Sequence, residues 1–199
     1  MKTNKLLFIT LGLAAIIALG KSLNHQNAGI QKSKTYIALE TSSPEITELS
    51  QNILDTLAHR RENQWTSVDV FSGGNVQNIY SAVTTHDLEA LTEEITPKPS
   101  SDEALIQAIQ RIKDEVQQNK QQNVYGFIVT KGTTNSVTLA AIREICQNLA
   151  QNRSTKVHIS IIGISPANRL PMSTAVAPLS GSVRFAGIAQ EEWQQLLDF

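Results

Sequence analysis

Glu40, Thr41, Ser42 and Ser43 follow directly on the apolar run Tyr36-Ile-Ala-Leu39 and lead into Pro44. A carboxylate followed by hydroxyls at the end of a strand offers the hard oxygen donors that a divalent cation takes, provided that enough of them converge. The value of the cluster therefore rests on what the rest of the chain brings to that strand end.

Other chemistry finds less support. His25, His59, His86 and His158 are far apart in sequence, and none stands at metal-ligand spacing with another His, Cys or carboxylate. The single cysteine, Cys146, has no second thiol for a disulfide or a Cys-x-x-Cys arrangement, and reads as a small residue buried on a helix. There is no Gly-x-Gly-x-x-Gly or Gly-Lys-Ser/Thr phosphate cradle and no Gly-x-Ser-x-Gly elbow. Asp102-Glu103 opens a helix, where negative charge suits the positive end of the dipole, and Glu89, Glu93 and Glu94 read as a solvated helix face. A formal charge of -1 gives no basic stripe for a phosphate backbone, so nucleic acid is excluded as a partner.

The elements that must position the Glu40 cluster alternate. Tyr36 to Leu39 reads as a strand, and Ile46, Leu49, Ile53, Leu54 and Leu57 recur at helical spacing behind an N-cap at Ser43 with proline at the first helical position. Trp65 to Phe71 is a second strand, and Ser72-Gly-Gly-Asn75 turns it into an antiparallel return over Val76 to Val83. A short helix is expected over His86 to Ile95, a longer one over Asp102 to Gln118, a strand over Val124 to Val129, a helix over Val137 to Leu149 and a strand over Val157 to Ile164. Ser165 to Ser180, rich in Pro, Ser and Ala, reads as an irregular loop, followed by a strand at Val183 to Ile188 and a closing helix over Gln190 to Leu197 with Trp193, Leu196 and Leu197 inward. Trp65, like Trp193, is expected in the core. The alternation predicts an α/β fold, a doubly wound, mostly parallel six-stranded sheet with one antiparallel edge strand.

Ahead of it, Lys2 and Lys5 precede an uncharged run from Leu6 to Gly20. Residues 1–20 read as a signal peptide or an N-terminal membrane anchor, 21–33 as a polar linker and 34–199 as the folded domain. The domain is then expected on the extracytoplasmic side, anchored or exported, with the membrane as a partner if the segment is uncleaved.

The order of segments resembles the von Willebrand factor A (VWA) domain family. The resemblance runs from Lys34 to Phe199 through Tyr36-Ile-Ala-Leu-Glu-Thr-Ser-Ser43, Val68-Asp-Val-Phe-Ser-Gly-Gly74, Pro99-Ser-Ser-Asp-Glu-Ala-Leu105, Phe127-Ile-Val-Thr-Lys-Gly132 and Ile159-Ser-Ile-Ile-Gly-Ile164. It implies a cation held by an Asp-x-Ser-x-Ser run, a Thr before the Ala-Leu helix and an Asp in a Thr-Asp-Gly turn. Here Glu40 stands for the first Asp, Ser42 keeps the first Ser, Pro44 replaces the second, Pro99 falls on the threonine with Ser100 and Ser101 beside it, and Lys131 takes the final aspartate. The resemblance thus implies a degenerate metal site with Glu40, Ser42, Ser100 and Ser101 as its remnants, and an ion pair between Glu40 and Lys131 unless both side chains simply face solvent.

The leading functional expectation is a non-enzymatic module that binds another protein without a cofactor, through the loops above the strand ends. Its contact candidates are Thr41, Ser43, Lys131, Thr133 and Asn135. The alternatives are weak adhesion through Mg2+ or Mn2+ at the residual site, and a small hydrolase or ligand-binding protein of Rossmann-like topology with a site in the Ser165 to Ser180 loop.

Overall fold

The computed structural model describes residues 33–59, 65–72, 74–82, 87–99, 101–118, 123–152 and 155–197. Six strands, β1 (Ser33–Glu40), β2 (Trp65–Ser72), β3 (Asn75–Ala82), β4 (Asn123–Val129), β5 (Lys156–Ile162) and β6 (Val183–Ala186), form one sheet in the order β3-β2-β1-β4-β5-β6. All pairs are parallel except β2 with β3. From β1 the chain goes to one side for β2 and β3, then crosses to the other for β4 to β6. The reversal leaves a crevice above the C-terminal ends of β1 and β4, the place where open α/β sheets bind ligands.

The side chains of β1 alternate between two apolar layers, because successive residues of a strand face opposite ways. Tyr36 and Ala38 face α3 (Asp102–Gln118), α4 (Ser136–Ala150) and α5 (Pro166–Ala175), with Leu105, Ile109, Ile112 and Ile142 in the same cluster. Ile37 and Leu39 face α1 (Pro44–Ala58) and the C-terminal turn with Trp193 and Leu197, packing with Ile46, Ile53 and Leu54. Burial on both faces explains why the central strands are continuous apolar runs. Gly126 in β4 permits close approach of α3, since a Cβ there would lie 2.6 Å from Ile112 Cδ1.

Local signals account for most helix boundaries. Ser43 Oγ accepts from Ile46 N at 3.4 Å, with Pro44 at the first helical position, as expected. The helix expected over His86 to Ile95 is only one turn, α2 (Leu88–Leu91). Gln51 Nε2 of α1 donates to the carbonyls of Thr92 and Ile95, at 3.0 and 3.1 Å, and holds the following segment in turns. The expected loop of Ser165 to Ser180 is corrected: it contains α5 and a 3-10 turn at Ala177–Leu179. Pro166 opens α5, where its missing N–H costs nothing, and Met172, Ala175, Val176 and Leu179 are buried beneath it. The chain closes with α6 (Gln190–Trp193) and a 3-10 turn, in which Trp193 and Leu197 are buried and Leu196 is half-buried. Trp65 is also half-buried, with Lys34 Nζ 5.7 Å from its ring.

The sequence gives no warning of a buried carboxylate in β2. Asp69 is wholly buried on the α3 side, where it accepts from the Tyr36 hydroxyl at 2.8 Å and Asn78 Nδ2 at 2.7 Å and faces Arg111 Nη1 at 3.2 Å. A register shift between β2 and β3 pairs Val68 with Tyr80 but Asp69 with Asn78, which brings that amide opposite the carboxylate. Burial, with Asp69 second, pushes the Tyr36 hydroxyl far above its ordinary value, so it remains a donor. Beside this group Lys34 pairs with Glu115.

Two outcomes follow from these placements. Asp69→Ala takes the acceptor from the buried Tyr36 hydroxyl and the partner from Arg111, and is expected to lower unfolding free energy by about 1–3 kcal/mol in a urea titration. Cys146 is buried on α4, and burial raises its thiol to about 12, so a thiol alkylator at neutral pH is expected to label it only as the protein unfolds.

Candidate functional site

The β1–β4 register pairs Leu39 with Val129 and so sets Glu40 level with Thr130 across the crevice. Glu40 is only 5% exposed. One carboxylate oxygen accepts from the Ser42 hydroxyl, and the other accepts from the Thr130 hydroxyl and from Lys131 N, the last at 3.2 Å. Thr130 Oγ1 in turn accepts from Gly132 N at 3.0 Å, and the Glu40 carbonyl accepts from Ser50 Oγ of α1 at 3.0 Å. One residue thus joins β1, the end of β4 and α1.

The expected Glu40 to Lys131 ion pair is not formed. Contact runs through the Lys131 peptide N–H, and the Lys131 side chain is exposed. Gly132, at φ +75°, turns the chain just after this N–H, and a Cβ there would sit 2.3 Å from Ile164 Cδ1. The Lys131 carbonyl is held from behind by Asn168 Nδ2 at 2.8 Å and Ser165 N at 3.2 Å.

The same crevice is a cleft of about 280 Å³ whose walls include Glu40, Ser42, Ser101, Asp102, Thr130 and Lys131. Ser101 is exposed, and its Oγ accepts from Ala104 N at 3.4 Å, capping α3. Asp102 does more than favour the helix dipole: its Oδ2 accepts from the hydroxyls of Thr133 at 3.1 Å and Thr138 at 3.2 Å, tying the start of α3 to the start of α4. Sequence reasoning missed this because Thr133 and Thr138 lie more than a helix away. Ser100 and His86 fall outside the described residues, as do His25, the apolar segment of residues 1–20 and residues 21–32. Among the described residues no helix is long and apolar enough to cross a membrane, and no three His, Cys, Asp or Glu side chains gather where they could hold a metal ion.

The contact candidates divide. Thr41 is fully buried, its carbonyl accepting from Lys98 N at 2.8 Å and its hydroxyl without a hydrogen-bond partner. Thr133 is 7% exposed, its hydroxyl shared between Asp102 and the N–H of Asn135. These two therefore lie beneath the surface and not on it, drawn inward by the strand end and by Asp102. Ser43 is half-buried as the cap of α1. Lys131 and Asn135 are exposed, and Asn135 Oδ1 caps α4 through Val137 N at 3.0 Å and Thr138 N at 3.3 Å. His59 and His158 are exposed, and the latter stacks on Tyr125 with ring centroids 5.2 Å apart.

No family model matches the chain, and neither does any curated protein. Solved structures do. An aerotolerance-related membrane protein from Bacteroides fragilis NCTC 9343, bearing multiple mutations to serine, is similar at a TM-score of 0.59 and 10% identity over 83% of this chain and 96% of its own. The conserved protein BatB from Bacteroides thetaiotaomicron is similar at 0.56 and 14% identity, over 83% and 95%. The SpRpn10 VWA domain is similar at 0.52 and 11% identity, over 84% and 94%. At such identities the likeness is one of fold, and the fold is VWA-like.

Removing the carboxylate should expose how much the crevice depends on it. Glu40→Ala leaves the Thr130 hydroxyl and the Lys131 N–H without their acceptor and is expected to cost about 2–4 kcal/mol, read from denaturant unfolding. A loss within the range of an ordinary surface change, about 0.5 kcal/mol, would contradict the bridging role.

Proposed function

We propose that this VWA-like domain is a non-enzymatic protein-binding module that works without a cation, carried at or beyond a membrane by its N-terminal segment. The observation that carries the reading is the state of Glu40. The carboxylate that the family resemblance places at the cation is occupied by two hydroxyls and a peptide N–H, so it serves to hold β1 to β4.

The donor set does not fit a hard divalent ion. Magnesium takes about six oxygens in near-octahedral geometry. Pro44 brings no side-chain oxygen, Lys131 brings an ammonium where the resemblance expects a carboxylate, and Asp102 is engaged by Thr133 and Thr138. No catalytic step is routed through the cleft either, since its carboxylates and hydroxyls are committed to one another and to backbone. Recognition then falls to what the crevice leaves on the surface, the Lys131 ammonium and the exposed stretch Thr134 to Val137. The aerotolerance-related protein of similar fold is described as a membrane protein, which supports reading residues 1–20 as anchor or export signal.

Two measurements test this. With no site to fill, millimolar Mg2+ or Mn2+ is expected to leave the melting temperature where EDTA leaves it, whereas a cation bound to the native state must raise it. A photocrosslinker placed at Asn135 is expected to capture a discrete protein in the native membrane fraction, and one at Gln151, beyond the far end of α4, is not. A metal-dependent rise in melting temperature, or equal labelling from both positions, overturns the reading.

A further inference from the structure

The charges of this chain are segregated. Residues 123–186 contain six Lys or Arg and one acid, Glu144, whereas residues 33–118 contain fourteen acids and six Lys or Arg. The fold turns that asymmetry into two surfaces, each with an exposed apolar side chain of the kind that marks contact sites when it is not isolated.

On the α4–α5 face, Val137 and Leu170 are 77% and 75% exposed. Arg169 precedes Leu170 and is itself exposed, and the exposed Arg143 reaches across to the Thr174 carbonyl of α5 at 3.4 Å. The exposed Lys131 lies against the same helix, since its carbonyl is bonded by Asn168. Lys131, Arg143 and Arg169 make this face predominantly basic, with Glu144 the one acid, and Leu170 adjoins Arg169 as an exposed apolar side chain.

On the opposite face, α1 and the chain's last turns enclose a cleft of about 360 Å³. Its rim carries the exposed Glu45, Glu48 and Asp55, and its apolar wall includes Leu49, Trp193 and Ile188, the last 51% exposed. Among the described residues no Lys or Arg lines it. Its sign and its apolar centre complement the basic patch.

The two surfaces cannot meet within one molecule, because α1 packs on the Ile37–Leu39 side of the sheet and α4 and α5 on the Tyr36–Ala38 side. We infer that the occupant of the acidic cleft is a second copy of this chain, which seats its Arg169–Leu170 corner of α5 there. Different surfaces of the two copies take part, so the contact is heterologous and propagates head to tail. The attraction depends on opposite charge and weakens with salt.

The test uses the full chain, its N-terminal segment included, followed by sedimentation at low and high salt. The wild-type protein is expected to gain average mass with concentration at low salt and to lose that gain at high salt. Arg169→Glu and Glu48→Lys, both at exposed positions and checked for unchanged melting temperature, are each expected to weaken self-association about tenfold or more. Mixing the two variants is expected to restore association, because the unaltered cleft of the first accepts the unaltered patch of the second and the reversed charges on their other two surfaces again oppose each other. The inference is overturned if the wild type shows no concentration dependence, if either variant associates like the wild type, or if mixing restores nothing. It is overturned equally if Arg169→Glu abolishes binding to anionic vesicles while Glu48→Lys leaves the protein's association untouched, which would make the patch a lipid contact.

Discussion

A carboxylate that a fold encloses must find donors or lose its charge, and in this domain that requirement falls on the point where the sheet reverses its winding. Glu40 meets it with Ser42 from its own loop and with Thr130 and Lys131 from the neighbouring strand. Everything nearby follows from that choice. The Lys131 N–H faces the carboxylate while its side chain is left outside, the chain turns at Gly132, and α5 packs behind through Asn168 and Ser165. The crevice is shaped by hydrogen bonds inside the protein before any ligand arrives.

A second enclosed carboxylate does similar work at the other side of β1. Asp69 links β2 to β1 through Tyr36, to β3 through Asn78 and to α3 through Arg111. Glu40, the last residue of the central strand, joins it to β4, and Asp69 joins it to β2 and the hairpin. Apolar burial alone would tolerate a slip of these strands by a pair of residues, since the faces would still match. A hydrogen-bonded acid on each side penalises such a slip by stranding a charge.

The fold was legible where one local signal was enough. Continuous apolar runs marked the inner strands, Ser43-Pro44 marked the start of α1, and the Gly73-Gly74 turn marked the antiparallel edge. It was illegible where local and tertiary preferences differ. Pro, Ser and Ala made residues 165–180 look like a loop, although a proline at the first helical position and a buried face through Met172 and Ala175 support a helix. The short α2 stops because Gln51, far away in sequence, claims its following carbonyls. At the crevice, sequence brought Glu40 together with residue 131 but attributed that contact to an ammonium when a peptide N–H makes it. The burial of Thr41, Thr133 and Asp69 had no local signal, because each is set by partners on other elements.

The bond between Glu40 and Thr130 joins residues 90 positions apart in the chain. Closing so long a loop costs entropy that is recovered only when both strands are already paired, and parallel pairings of this kind belong to slowly folding topologies. The crevice is therefore incomplete until β1 and β4 have paired. Until then Glu40 is a solvated acid on an unpaired strand, and a chain that displays the finished crevice has by that fact closed the loop between its first and fourth strands.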